Sequence, residues 1–323
     1  MTLKEIQKQL EPELNRLNSE IANMLHSSNP LINEIVTRYL RIKGKQIRPL
    51  LVLLSARMFG KITDKAIVAG ASVELLHNAS LVHDDVIDET KMRRGELTIN
   101  GIWDNRIAVL MGDFFVSTAL CKAIETDNIR IINSVTRLGL LLSTGELDQI
   151  FNAMDHRLSE ESYFRIIYHK TASLFISCVE IGAFAADAPE DQIKLMAEYA
   201  RLLGLCFQIR DDIFDYFSDD KIGKPTGNDL REGKITLPLL HTLITPGIPG
   251  SEEMTRLASK EQLTDSEIAT LIEFAKANGG IDYAYETMQR LRREAETVLN
   301  QLPRTETVDL LRQLFDFVIS REK

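Results

Sequence analysis

Residues 66–88, AIVAGASVELLHNASLVHDDVID, decide how the rest of the chain is read. Apolar side chains recur at every third or fourth position, which is the period of a helix, and the run then ends on three aspartates. Asp84 and Asp88 are four apart and share one helix face, with Asp85 beside them. Three carboxylates at a helix C-terminus repel one another and meet the negative end of the helix dipole, so a cation has to offset them. Working outward, the same period covers about 3–26, 30–41, 47–59, 63–88, 103–126, 128–152, 159–186, 190–218, 235–244, 252–260, 264–277, 279–301 and 305–320. Alternating strand-like runs are scarce. The expected fold is all-α, and without a long linker or a fixed repeat the chain is expected to form a single domain over 1–323.

Thirty-eight Lys and Arg stand against 47 Asp and Glu, a net charge of −9 that argues against a nucleic-acid surface. The N-terminus, MTLKEIQKQLEPELNRL, lacks the layout of a secretory signal, and no apolar run reads as long enough to cross a bilayer. A cytoplasmic location is expected. Cys121, Cys178 and Cys206 lie in apolar stretches without CxxC spacing and are expected in the core. Residues 218–234, SDDKIGKPTGNDLREGK, resist helix assignment, and a long polar loop of this kind is more often functional than idle.

The aspartate pattern recurs at Asp211, Asp212 and Asp215, again after an apolar helix, LLGLCFQI. One such ladder has an ordinary reading as a solvated acidic helix end; two, each trailed by bases, do not. Lys91, Arg93 and Arg94 follow the first, and Lys221, Lys224 and Lys234 the second. Hard carboxylate oxygens suit Mg²⁺, which takes its remaining ligands from water and phosphate, while Lys and Arg bind the other phosphate oxygens. Lys45 and Arg48 are three apart where a helix opens, so they can converge on one anion or stand as solvated bases. His77 lies two turns before Asp84; it can donate to a phosphate or be a satisfied core histidine. Lys170 and Thr171 sit in an apolar helix, where a lysine is costly without an anionic partner. Gln208 shares the helix face of Asp211 and Asp212.

The ordered set GKQIRP (44–49), LLHNASLVHDDVIDETKMRRG (75–95), YHKTASLF (168–175) and CFQIRDDIFDYFSDDKIGKPTGNDLREGKITLP (206–238) closely resembles the trans-polyprenyl diphosphate synthases, over roughly residues 40–240. The resemblance implies the isoprenoid synthase fold, a bundle of long helices around a central cavity, packed as a homodimer. It implies that Asp84, Asp85 and Asp88, with Asp211, Asp212 and Asp215, hold Mg²⁺ on an allylic diphosphate, about three ions with substrate bound, and that Asp84, Asp88 and Asp211 are the direct ligands. It implies further that Lys45, Arg48, His77 and Arg94 bind isopentenyl diphosphate, and that Arg93, Lys170, Thr171, Gln208, Lys224 and Lys234 hold the allylic diphosphate. Lys170, Asp84 and Asp211 then carry catalysis: the allylic C–O bond ionises, isopentenyl attacks the cation, and the departing diphosphate takes the proton. Short-chain members place bulky aromatics where this chain has Ala79 and Ser80. About one helical turn, roughly 5.4 Å, separates these residues from the first motif, so small side chains there imply an open tunnel and a product of about seven to ten isoprene units. Such a product implies a quinone side chain and a transient membrane contact at its release; the alternative is a short-chain farnesyl or geranylgeranyl diphosphate synthase.

Other classes fit less. Glu74-x-x-His77 has the spacing of helical di-iron sites, but none of the other five histidines supplies a second copy. A phosphohydrolase built on His83-Asp84 leaves the second ladder unexplained, a terpene cyclase needs no isopentenyl site, and a non-catalytic partner subunit would lack one of the motifs. The basic C-terminus, Arg321 to Lys323, can fold over the site or be solvated.

Overall fold

A computed structural model describes residues 2–41, 44–93, 95–154, 158–217 and 226–321. In chain order the helices are α1 (Leu3–Lys8), α2 (Glu11–Met24), α3 (Pro30–Tyr39), α4 (Ile47–Phe59), α5 (Asp64–Ile87), α6 (Ile99–Ile102), α7 (Asn105–Glu125), α8 (Ile129–Met154), α9 (Glu160–Ile167), α10 (Ser173–Ala185), α11 (Glu190–Phe214), α12 (Asn228–Arg231), α13 (Leu237–Ile244), α14 (Ser251–Ala258), α15 (Asp265–Ala277), α16 (Gly280–Leu299) and α17 (Glu306–Ser320). A widened π-helical turn, Tyr168–Ala172, joins α9 to α10. The all-α expectation holds: the strands among the described residues are β1 (Met92–Arg93) and β2 (Glu96–Leu97), an antiparallel pair with Met92 opposite Leu97 and Arg93 opposite Glu96.

Contacts group the chain into two compact units. One comprises Met1–Leu140, Leu174–Ala200 and Leu299–Leu314; the other comprises Leu141–Ser173, Arg201–Val298 and Phe315–Lys323.

In the first unit α4 and α5 are apolar on nearly all sides and form the core, with Leu50 to Leu54 and Ala69, Ala71, Val73 and Leu75 fully buried. Small residues let α5 lie close to its neighbours. A Cβ on Gly70 would meet Leu17 of α2 at 2.9 Å and Val52 of α4 at 3.2 Å, and one on Gly182 would meet the Val52 carbonyl at 2.3 Å. The Thr63 side chain caps α5, and at the other end Glu89 adopts a left-handed φ of 51° and turns the chain into the β1–β2 hairpin. Gly95, at φ 78°, supplies the positive φ that this short turn requires.

In the second unit α13, α14 and α15 close over Tyr216, Leu230, Leu239, Leu243, Ile268, Leu271 and Ile272. His241 stacks on Tyr283 with ring centroids 3.7 Å apart.

Three expectations need correction. The helix read over 3–26 breaks at Gln9–Leu10, because Pro12 starts a new helix in the first turn of α2 rather than continuing the old one. Cys178 and Cys206 are buried, but Cys121 is exposed on α7. Helix α7 is itself long and apolar enough to cross a bilayer by length and composition, with a third of that span buried. A soluble helix with one face on the core and an apolar outer face passes the same test.

Candidate active site

The first aspartate motif closes α5. Asp85 turns inward and is 7% exposed. Its Oδ1 accepts from Nε and Nη2 of Arg93 at 2.9 and 2.8 Å, and its main-chain carbonyl accepts from Asn100 Nδ2 and the Thr90 amide, both at 2.9 Å. Burial raises the Asp85 pKa, and the Arg93 guanidinium opposes that rise. The charge that the helix end demands is therefore met by Arg93, carried back by the hairpin. Asp84 is half-buried and Asp88 is exposed, where the Asp88 amide donates to the Asp84 carbonyl at 2.8 Å. The three aspartates thus divide into one inward brace and two that face outward.

The second motif, at the end of α11, divides in a comparable way. Asp212 is 3% exposed, and both its oxygens are occupied: Tyr163 OH donates to Oδ2 at 2.6 Å and Gln208 Nε2 to Oδ1 at 2.8 Å. Burial pushes the Asp212 pKa up to about 7, with the charges of Asp211 and Asp215 adding to it. The Asp215 carboxylate accepts from the main-chain amides of Asn228 and Asp229 at 3.1 and 3.0 Å, capping the start of α12, and the Asp215 carbonyl accepts from the Gly227 amide at 2.9 Å. Asp211 is left 41% exposed and pairs with Arg321. Burial drives the pKa of the neighbouring Asp229 well up, and the sequence reading passed over that residue.

Lys170 and Thr171 lie in the widened turn, a feature frequent at functional sites. Two glycines allow it: a Cβ on Gly145 would meet Lys170 Cγ at 2.7 Å, and one on Gly204 would meet the Ala172 Cα at 2.6 Å. Lys170 Nζ pairs with Glu146 at 2.5 Å and donates to Gln149 Oε1 at 3.0 Å. Thr171 Oγ1 donates to Gln208 Oε1 at 2.7 Å, so the turn and the second motif share one hydrogen-bond chain through Gln208 to Asp212 and Tyr163. Glu146, Gln149 and Tyr163 are additions to the site. For the first two the sequence offered only a weak signal, because Ser143, Thr144 and Asp148 make the same stretch of α8 polar. For Tyr163 there was none.

The remaining expected residues fall as follows. Gln46 takes a left-handed φ of 51° just before α4, setting Arg48 in its first turn and Lys45 outside it, exposed. The Nε of Arg48 is buried without a hydrogen-bond partner among the described residues, as a donor awaiting an anion would be. His77 is buried on α5. Lys234 is largely buried beside Glu232, with its amide donating to the Asp229 carbonyl at 2.7 Å. Arg94, Lys224, Glu322 and Lys323 lie outside the described residues. Ala79 is fully buried, and the Ser80 hydroxyl turns back onto the His77 carbonyl at 2.9 Å. By unit, Lys45, Arg48, His77, Arg93 and the first motif belong to one, and Lys170, Thr171, Gln208, Lys234 and the second motif to the other.

Among the described residues no three acidic, histidine or cysteine side chains converge as a cage for a cation. Mg²⁺ commonly binds through one or two protein carboxylates and completes its shell with water and phosphate. Asp84 and Asp88, one turn apart, and the exposed Asp211 supply hard oxygens that fit this chemistry.

A family model described as polyprenyl synthetase matches residues 29–274. The octaprenyl diphosphate synthase of Haemophilus influenzae is 35% identical over 95% of this chain and 93% of its own. A decaprenyl diphosphate synthase structure from Rhodobacter capsulatus superposes with a TM-score of 0.92 at 30% identity, covering 99% of this chain and 100% of the other. A geranylgeranyl pyrophosphate synthase structure from Bacteroides thetaiotaomicron superposes with a TM-score of 0.85 at 38% identity, covering 98% of each.

Proposed function

This chain belongs to the polyprenyl synthetase family, and from that premise we propose that it extends an allylic diphosphate repeatedly with isopentenyl diphosphate to a long-chain all-trans polyprenyl diphosphate. It is a prenyltransferase of isoprenoid diphosphates. The observation that carries the site assignment is the division of both ladders into inward braces and outward carboxylates. Asp84, Asp88 and Asp211 are the metal-facing set, while Asp85, Asp212 and Asp215 hold the two helix ends in place. When bound there, Mg²⁺, about three ions, neutralises charge that grows on the leaving diphosphate.

The protein's own groups do the rest. Lys170, Thr171, Gln208, Arg93, Lys224 and Lys234 hold the allylic diphosphate. For Lys170 this means exchanging some of its contact with Glu146 for phosphate oxygens. Arg48, with its unmatched Nε, joins Lys45, His77 and Arg94 on the diphosphate of isopentenyl diphosphate. The apolar core around α4 and α5 keeps water from the allylic cation. Ala79 and Ser80 leave room for the growing chain, which supports a long product with farnesyl diphosphate as starter and a quinone side chain as destination.

The whole chain, 1–323, works as one functional domain, a reading supported by its full-length match to a solved synthase. Leu110 of α7 and Leu147, Phe151 and Met154 of α8 expose apolar side chains, Met154 by 76%, and support a homodimer packed through these long helices. Water-soluble substrates support a cytoplasmic location, with a transient membrane contact when the insoluble product leaves. The test is to incubate the protein with Mg²⁺, labelled isopentenyl diphosphate and farnesyl diphosphate and to size the dephosphorylated products. A long polyprenol is expected from the wild type and a shorter one from Ala79→Tyr. A wild-type product stopping at geranylgeranyl length would discard the open tunnel, and an unchanged length in A79Y would remove Ala79 from chain-length control.

A further inference from the structure

Just beyond α17, Arg321 lies against the second aspartate motif. The Arg321 side chain is 5% exposed. Its guanidinium lies 3.9 Å from the Phe207 ring centroid, and Nη2 donates to the Phe207 carbonyl at 3.0 Å and to Asp211 Oδ1 at 2.6 Å. The main chain is gripped as well: the Arg321 carbonyl accepts from Nε and Nη2 of Arg210 at 3.1 and 2.7 Å, and Arg210 Nη1 donates to the Tyr285 hydroxyl at 2.5 Å. All of these direct partners of Arg321 stand on α11 within about one turn of Asp211.

A solvated surface pair would show none of this. Burying a guanidinium costs several kcal/mol unless a carboxylate and further hydrogen bonds offset it. Asp211 and the Phe207 carbonyl provide part of that offset, with Nε left buried without a hydrogen-bond partner among the described residues, and so little of Arg321 is exposed that it cannot meet a diphosphate without leaving its pocket. Asp211 by contrast keeps a solvent-facing carboxylate.

We propose that Arg321 is a positioning residue for Asp211: by holding Oδ1 it fixes the orientation in which the carboxylate meets the metal–diphosphate complex. The proposal rests on the reading of Asp211 as a metal ligand. Partners that orient a ligand from behind are commonly worth 10- to 100-fold in metal affinity. Nη2 makes both bonds while the planar guanidinium lies over the Phe207 ring, a stacked geometry that lysine does not reproduce.

The test uses Mn²⁺ as the probe, titrated into the full chain with inorganic diphosphate and followed by electron paramagnetic resonance. Arg321→Met is expected to weaken Mn²⁺ binding about tenfold. Arg321→Lys, which keeps charge and stem, should recover part of it. The Mg²⁺ concentration for half-maximal rate should rise by a similar factor in R321M while the KM for isopentenyl diphosphate stays as in the wild type. Circular dichroism and melting temperature report folding; should R321M not fold, R321K carries the test, and wild-type affinity in it overturns the proposal. Affinity in a folded R321M equal to or above the wild type overturns it too, since the arginine would then only repel the metal. Asp211→Asn separates the two levels. If it leaves Mn²⁺ binding intact, the metal-site reading fails and takes this inference with it; if it weakens binding while R321M does not, the inference alone fails.

Discussion

Asp85 is held by Arg93 and Asn100, 8 and 15 residues further along the chain, whereas Asp212 is held by Tyr163, 49 residues away, and Asp211 by Arg321, 110 residues away. The chemistry differs along with the distance. The first motif answers a buried carboxylate with a cation that is itself 39% exposed, and solvent screening limits such a pair to about 1 kcal/mol or less. The second surrounds its buried carboxyl group with neutral donors, and deleting one leaves an unsatisfied buried polar group at a cost of about 1–3 kcal/mol. Two similar sequence patterns are thus secured in different ways, one by a local hairpin and the other by tertiary packing.

The sharpest test of the comparison separates outward carboxylates from braces. Asp84→Asn and Asp211→Asn should each lower kcat by about 10²–10³ or more; Asp84→Asn should melt close to the wild type, and Asp211→Asn lower, because it weakens the partner of the buried Arg321. Near-normal turnover in either folded variant would break the assignment of both motifs. Next in size is Gly145→Ala, whose new methyl presses on Lys170 and the adjacent turn. It should destabilise the protein by about 1–3 kcal/mol in a urea titration and reduce turnover, because the lysine is displaced. Tyr163→Phe should cost about 1–3 kcal/mol, more than Arg93→Ala at about 1 kcal/mol or less. Equal losses would erase the contrast between a neutral buried brace and a screened ionic one.

The last test concerns pH. Burial raises Asp212 from 3.8 to about 7, so between those values the metal-free folded protein holds a proton that the unfolded chain does not. Stability from this group is therefore present at low pH and is lost as pH rises towards about 7. Across that window the wild type should lose stability relative to Asp212→Asn in paired melting curves, and parallel curves would place the titration elsewhere.

What the sequence disclosed follows the same division. The period of residues 66–88 fixes α5, and electrostatics alone demanded a cation near its C-terminus; Arg93 was in view because it lies in the adjacent turn. Lys170 announced itself as a charge in an apolar run, but neither the widened turn nor the glycines that admit it leave a periodic signature. Pro12 was visible and still misread, since proline in the first turn of a helix looks from sequence like proline inside one. Tyr163 gave no signal, and Arg321 stood open between folding over the site and solvation. Each acts through tertiary proximity, and one-dimensional spacing carries no information about a partner 49 or 110 residues away.

The widened turn at Tyr168–Ala172 has one further consequence. Such a turn contains one residue more than the α-helical turn it replaces, so it is the footprint of a one-residue insertion. Removing a single residue there would let α9 and α10 rewind into one uninterrupted helix, and the backbone would tolerate the change. The faces of α9 and α10 would stay in phase, because the wide turn already absorbs the extra residue, and only side chains inside the turn, Lys170 among them, would be displaced. A change of one codon would leave the helix standing and move the lysine to another face, so the reading frame of the helix, as much as the identity of residue 170, encodes the activity.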